Sequence, residues 1–153
     1  MNQFVLFMRR TIIILAAFFA FACAYSQKPT FNHVAINVSD LNKSSTFYRD
    51  IIGLDTMANP FHDNKHVWFV IGDNLQMHMI ASASAASEHP QDNHLCFSVT
   101  SVETFSQKLV NAGIVYKNAR GIKNEITVRP DGVKQIYFTD PDGFWIEIND
   151  AKK

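Results

Sequence analysis

The sequence predicts an α+β domain made of two βαβββ modules. Three observations predict it. First, one pattern occurs twice: Asn32-His33-Val34-Ala35-Ile36-Asn37-Val38-Ser39-Asp40-Leu41 and Asn93-His94-Leu95-Cys96-Phe97-Ser98-Val99-Thr100-Ser101-Val102, offset by 61 positions (94 − 33). Second, an apolar helical pattern follows each copy and stops at a glycine, Gly53 or Gly113. Third, strand-like runs punctuated by turn residues follow each helix. A repeat in so short a chain means two similar halves that bury their faces together.

Residues 31–38 alternate apolar and polar residues and read as a strand. Val34, Ile36 and Val38 share one face; His33, Ala35 and Asn37 share the other. Asp40 is placed to cap a helix over 41–52, whose Leu41, Phe47, Tyr48, Ile51 and Ile52 recur at helical spacing before Gly53. Strands are expected at 54–58, 65–71 and 75–81, with Gly72-Asp73-Asn74 as a hairpin turn. Residues 82–93 are small and polar and form the connection between halves. The second half repeats the order: strand 94–99, helix 101–112, then strands at 114–117, 126–128, 133–139 and 144–149. Arg129-Pro130-Asp131-Gly132 and Asp140-Pro141-Asp142-Gly143 are turns. The expected organisation is 1–24 as a targeting segment, 25–30 as a linker, and 31–150 as one domain with modules 31–81 and 93–150.

The first residues carry the layout of a secretory signal peptide: Arg9-Arg10, an apolar run over 11–22, and Ala22-Cys23-Ala24 as a small-x-small cleavage site. The run is shorter than the roughly 20 residues a membrane helix needs. Export to the periplasm or the medium is therefore expected. An uncleaved anchor is one alternative, and because Ala20-Phe21-Ala22-Cys23 is a weak lipobox, a lipoprotein held at a membrane by acylation of Cys23 is another. The full chain has 14 basic and 14 acidic residues. Removing 1–24 takes Arg9 and Arg10 and leaves 12 against 14, near −2, which gives no electrostatic case for nucleic acid. Apolar residues make up 47% and charged ones 18%, enough for a packed core in one domain. The mature chain keeps one cysteine, Cys96, which can form no internal disulfide and is expected as a small core residue.

A strand that packs a helix on one face leaves its other face free. His33 and His94 fall on that face in the first strand of each half. In the last strand Ile146 and Ile148 must face the helix, which turns Trp145, Glu147 and Asn149 the other way. Glu147 and His78 occupy matching places in the two halves (147 − 78 = 69). A carboxylate between two isoleucines is costly to bury unless it is paired or coordinated. Two histidines and one carboxylate on a sheet face suit a divalent first-row metal, and His78 can add a fourth ligand. A lone strand histidine, by contrast, is commonly no more than a polar residue at a strand end. His62, His66 and His89 lie in turn or edge contexts and are expected to be solvated.

With these stretches on the page, the chain resembles the vicinal oxygen chelate superfamily of glyoxalases, bleomycin-resistance proteins and extradiol dioxygenases. The similarity rests on His33 to Leu41, Ser45-Thr46-Phe47-Tyr48-Arg49-Asp50-Ile51-Ile52-Gly53-Leu54, Asn93 to Val99, and Phe138-Thr139-Asp140-Pro141-Asp142-Gly143-Phe144-Trp145-Ile146-Glu147-Ile148. It covers residues 31–150. The resemblance implies a cupped mixed sheet of the glyoxalase-like fold around one divalent metal (Zn, Ni, Mn or Fe). It puts the ligands at the first and fourth strands of each module, here His33, His78, His94 and Glu147, and implies a homodimer. The implied chemistry is chelation of neighbouring substrate oxygens, with Glu147 as the catalytic proton-transfer group. Glyoxalase I commonly has glutamate where this chain has His78. Asn37, Phe61, Trp68, Tyr137 and Trp145 are either substrate contacts or ordinary core and loop residues; Arg120 and Arg129 are either anion contacts or solvated. The expected function is an exported metal-dependent lyase or isomerase acting on a small oxygenated metabolite. The alternatives are a metal-free small-molecule or drug-binding protein of the bleomycin-resistance type and a three-ligand dioxygenase.

Overall fold

The computed structural model describes Gln3 and residues 28–82 and 89–152, in two units, Met1–Phe31 and Asn32–Lys153. The two modules form the second unit. Apart from Gln3, the segment read as a signal peptide lies outside the described residues, and so does 83–88 of the connection between modules.

The first module runs β1 (His33–Val38), α1 (Leu41–Phe47), a π-helical turn (Tyr48–Ile52), β2 (Thr56–Met57), β3 (His66–Gly72) and β4 (Leu75–Ala81). Asp40 caps α1, its carboxylate accepting from the Lys43 N–H at 2.9 Å. The single helix expected over 41–52 widens in its last turn. There the Gly53 and Leu54 amides both reach back to the Tyr48 carbonyl, at 3.1 and 3.0 Å, and Gly53 takes a left-handed φ of 91°. The strand expected at 54–58 shrinks to β2, two residues on the sheet edge.

The second module runs β5 (His94–Ser98), α2 (Val102–Asn111), β6 (Thr127–Val128), β7 (Lys134–Thr139) and β8 (Trp145–Asn149). Residues 114–117 form no strand. Only Lys117 bridges, to Tyr137 and Lys123, because the Asn118 side-chain oxygen accepts from the Arg120 and Ile122 amides, each at 2.9 Å, and curls the chain into a loop.

Each module makes a four-stranded mixed sheet, ordered β1-β4-β3-β2 and β5-β8-β7-β6. β1 with β4 and β5 with β8 are parallel, and the other pairs are antiparallel. The core forms where Ile36, Val38, Phe69, Met77 and Met79 of one sheet and Ile136, Phe138, Ile146 and Ile148 of the other meet Tyr48, Val102 and Leu109.

The turn between β7 and β8 bolts the modules together. Asp140 accepts from the Asp142 and Phe144 amides at 2.9 and 2.8 Å, which shapes the turn, and from the Tyr48 hydroxyl at 3.0 Å. The buried Asp142 carboxylate accepts from the Ser39 amide at 2.7 Å and from the hydroxyls of Ser39 and Ser44. Burial raises the pKa of Asp142, but these three bonds from Ser39 and Ser44 and the nearby Lys43 outweigh it and hold the group below its usual value.

Cys96 corrects an expectation. It is exposed, because Leu95 and Phe97 take the core face of β5 and leave His94, Cys96 and Ser98 on the open one. Its apolar neighbours in sequence mark the strand, not the face.

Candidate functional site

On the first sheet the β1–β4 register pairs His33 with Gln76 and Ala35 with His78, so His33 and His78 stand one diagonal step apart on the open face. Their ring centroids lie 5.2 Å apart, edge to face. The His33 Nδ1–H donates to the Asn32 side-chain oxygen at 2.8 Å, which leaves Nε2 as the free nitrogen. His78 is 8% exposed, and neither of its ring nitrogens has a hydrogen-bond partner. Trp68, opposite it in the register, stacks on its face at 4.2 Å. Burial, then the neighbouring His33 and His66, push the His78 pKa down and favour the neutral ring with a lone pair to give.

On the second sheet Glu147 lies between Cys96 and Tyr137 in the register and is 6% exposed. Its Oε2 accepts from the Tyr137 hydroxyl at 2.7 Å and its Oε1 from Asn149 Nδ2 at 2.9 Å. The Tyr137 oxygen in turn accepts from Gln135 Nε2 at 2.9 Å. Burial pushes the Glu147 pKa up, but the bonds from Asn149, Tyr137 and Cys96 and the nearby His94 outweigh it and hold the carboxyl below its usual range. His94 Nδ1–H donates to the Gln91 carbonyl at 2.8 Å, so its Nε2 faces Glu147 Oε2, 3.1 Å away.

That contact is informative. With Nδ1–H held by Gln91, this contact is an ion pair when the ring carries a second proton on Nε2; with a neutral ring both atoms are acceptors, and a metal cation can take that proton's place. Two ligands bonded at about 2.1 Å and at right angles sit about 3.0 Å apart; tetrahedral angles would spread them to about 3.4 Å. The observed spacing suits neighbouring ligands of one first-row metal. The anchored Nδ1–H groups of His33 and His94 are the outer-shell contacts that metal-binding histidines use to fix their tautomer. The donor set therefore fits a divalent metal.

One chain brings these residues together as two pairs, His33 with His78 and His94 with Glu147, on separate sheets. Among the described residues no three of His, Cys, Asp and Glu gather closely enough to hold an ion. Trp68 and Tyr137 lie in contact with the two pairs and are buried. Asn37 is exposed on the open face of β1. Trp145 is half-buried, donating to the His89 carbonyl at 2.9 Å with the Lys117 ammonium 5.5 Å above its ring. Phe61 is 59% exposed, Arg120 is exposed, and Arg129 pairs with Asp131 at 2.7 Å.

Two expectations of solvated histidines are corrected. His89 stacks on Phe144 at 3.9 Å. His66 is half-buried, contacts the rings of Phe61 and His78, and donates Nδ1–H to the Asp63 carboxylate, 2.9 Å from each oxygen. Sequence reasoning also missed Gln91 and Gln135, and it placed Asn149 on the open face without assigning it a role. Counting in twos along β3 from Trp68 and along β8 from Glu147 finds His66 and Asn149, since alternate residues share the open face.

The fold is a scaffold of two βαβββ-type modules that carries a pair of potential metal-donor groups on the open face of each sheet. Residues 30–148 match the model of the Glyoxalase/Bleomycin resistance protein/Dioxygenase superfamily, and the chain belongs to that family. It is 28% identical over 123 residues to Glyoxylase I 4 of Arabidopsis thaliana, covering 76% of this chain and 68% of that protein. It is 30% identical over 129 residues to the metallothiol transferase FosB of Staphylococcus epidermidis, covering 77% of this chain and 79% of that protein. Among solved structures the oxidase ChaP-H2 superposes with a TM-score of 0.68 at 23% identity, covering 82% of this chain and 96% of that one, a likeness of fold.

Proposed function

We propose that the mature protein is an exported metal-dependent enzyme of the vicinal oxygen chelate type, a lyase or isomerase acting on a small oxygenated metabolite. In this reading His33 and His78 of one chain and His94 and Glu147 of a second hold one divalent ion in a homodimer. The observation that carries it is the placement of two potential ligand atoms, His94 Nε2 and Glu147 Oε2, 3.1 Å apart with the ring anchored through Nδ1 on Gln91. The buried, unpartnered nitrogens of His78 support it from the other sheet. The pairing of chains is supported by the placement of the ligands: β1 and β5, which carry His33 and His94, are both sheet edges with one side open.

A metal held there supplies Lewis acidity to two neighbouring oxygens of a bound substrate. The remaining work falls to the chain. Tyr137, itself held by Gln135, keeps Glu147 Oε2 turned toward His94. Asn149 orients Oε1, which moves the substrate proton. Trp68 Nε1–H, buried with no partner, is a donor for a substrate oxygen, and its ring keeps water from His78. The likeness to a glyoxalase supports proton-transfer chemistry of this kind.

Elemental analysis of the mature protein, purified without chelator, tests the reading. It predicts about one divalent ion per chain, lost in Glu147→Ala and His33→Ala while the far-ultraviolet circular dichroism stays unchanged. Absence of metal, and no uptake of Zn, Ni, Mn or Fe(II), would overturn it.

A further inference from the structure

We propose that Asp63 and His66 form an outer arm of the metal centre that positions His78. The inference rests on the metal reading above. It starts from a mismatch between the histidines. His33 and His94 each have Nδ1–H anchored to an oxygen, on Asn32 and Gln91, and one nitrogen free for a metal. His78 has neither, although both its nitrogens are buried. A ligand imidazole gives one lone pair to the ion and keeps an N–H on its other nitrogen, and buried N–H groups take partners. The first sheet holds one built candidate. With Nδ1–H given to Asp63, the Nε2 of a neutral His66 ring is an acceptor.

The arm is rigid. Asn59 Nδ2 donates to the Asp63 carboxylate at 3.1 Å and to its carbonyl at 2.9 Å, and the Lys65 amide donates to the same carboxylate at 3.0 Å. Phe61 packs on the His66 ring at 4.7 Å. His66 lies nearly parallel to His78, 20° between planes and 6.1 Å between centroids. A direct N–H···N bond between imidazoles needs the rings edge to edge with centroids about 5.2 Å apart, so the bond requires His66 to slide along the His78 ring as well as to close on it. Every proton then has a place. One nitrogen of His78 binds the ion and the other donates to His66 Nε2; His66 Nδ1–H donates to Asp63. No group changes charge.

Cobalt(II) titration of the purified protein, followed by visible absorption and by competition with a chelator, tests this. His66→Leu removes the acceptor and should weaken cobalt binding about 10- to 100-fold, while the visible spectrum of the saturated protein stays the same. His66→Gln restores an acceptor oxygen and should recover most of that loss. Asp63→Asn should fall between the two. Unchanged affinity in His66→Leu would overturn the proposal. An altered cobalt spectrum in both His66 variants would overturn it too, because His66 would then be a ligand and not a positioning residue. If the unaltered protein binds no cobalt, the metal reading itself fails, which is a separate result.

Discussion

Replacing Asp142 with alanine should loosen the joint between the modules more than any other single change in it. The side chain is 1% exposed and accepts three bonds from the first module. Its loss leaves the Ser39 amide without an acceptor, at about 1–3 kcal/mol, and removes two charge-assisted hydroxyl bonds, which retain about 1 kcal/mol each after the hydroxyls find other partners. The sum is about 3–5 kcal/mol, a large share of the stability of a domain this size. Urea unfolding followed by circular dichroism should show a lower midpoint with an unchanged slope. Asp131→Ala, which breaks an exposed pair with Arg129 and an exposed 3.3 Å bond from the Val133 amide, is the control and should cost about 1 kcal/mol or less. A midpoint for Asp142→Ala within error of that control would refute the reasoning. The pH dependence carries a sign. The Asp142 pKa is lowered in the folded protein, so its contribution is present above the unfolded value and is lost as pH falls through the folded one. Asp140, raised chiefly by burial, works in the opposite sense. Asp142→Asn should therefore flatten the acid limb of the stability curve relative to the unaltered protein.

The open face of the second sheet yields two more expectations. Tyr137→Phe removes the donor to Glu147 Oε2 and should weaken metal binding about 10-fold, measured by chelator competition; it also strands the buried Gln135 amide, so the unfolding midpoint should fall as well. Cys96 is exposed, yet burial of the sulfur and the neighbouring Glu147 push its thiol up to about 12. Iodoacetamide at pH 8 should label it far more slowly than the denatured chain, read by mass spectrometry; equal rates would contradict that environment.

Much of the fold was legible because alternation and helical spacing report which face is buried. The faces of β1 and the placement of Glu147 between two isoleucines read directly from residue order. Cys96 did not, because a sulfhydryl fits either face and its apolar neighbours mask the alternation. The π-helical turn at 48–52 was hidden because apolar residues at helical spacing read the same whether the last turn is α or π. The candidate donors could be picked out one by one, since donor chemistry is local. That they sit as two pairs on separate sheets was not legible, because the arrangement of the modules is set by contacts such as Asp142 with Ser39 and Ser44. His66 was misread for a similar reason: its role comes from Asp63 and from cross-strand neighbours that residue order alone does not join.

The central claim is that one metal centre takes its ligands from two chains, and mixing two damaged chains tests it most directly. One chain carries His33→Ala and His78→Ala, the other His94→Ala and Glu147→Ala. Neither alone should bind metal. After co-refolding at equal amounts, half of the dimers are mixed and each holds one intact centre, so bound metal should recover to about a quarter of the unaltered level. No recovery, with the unaltered protein binding its full complement and mixed dimers shown to form, would contradict the account.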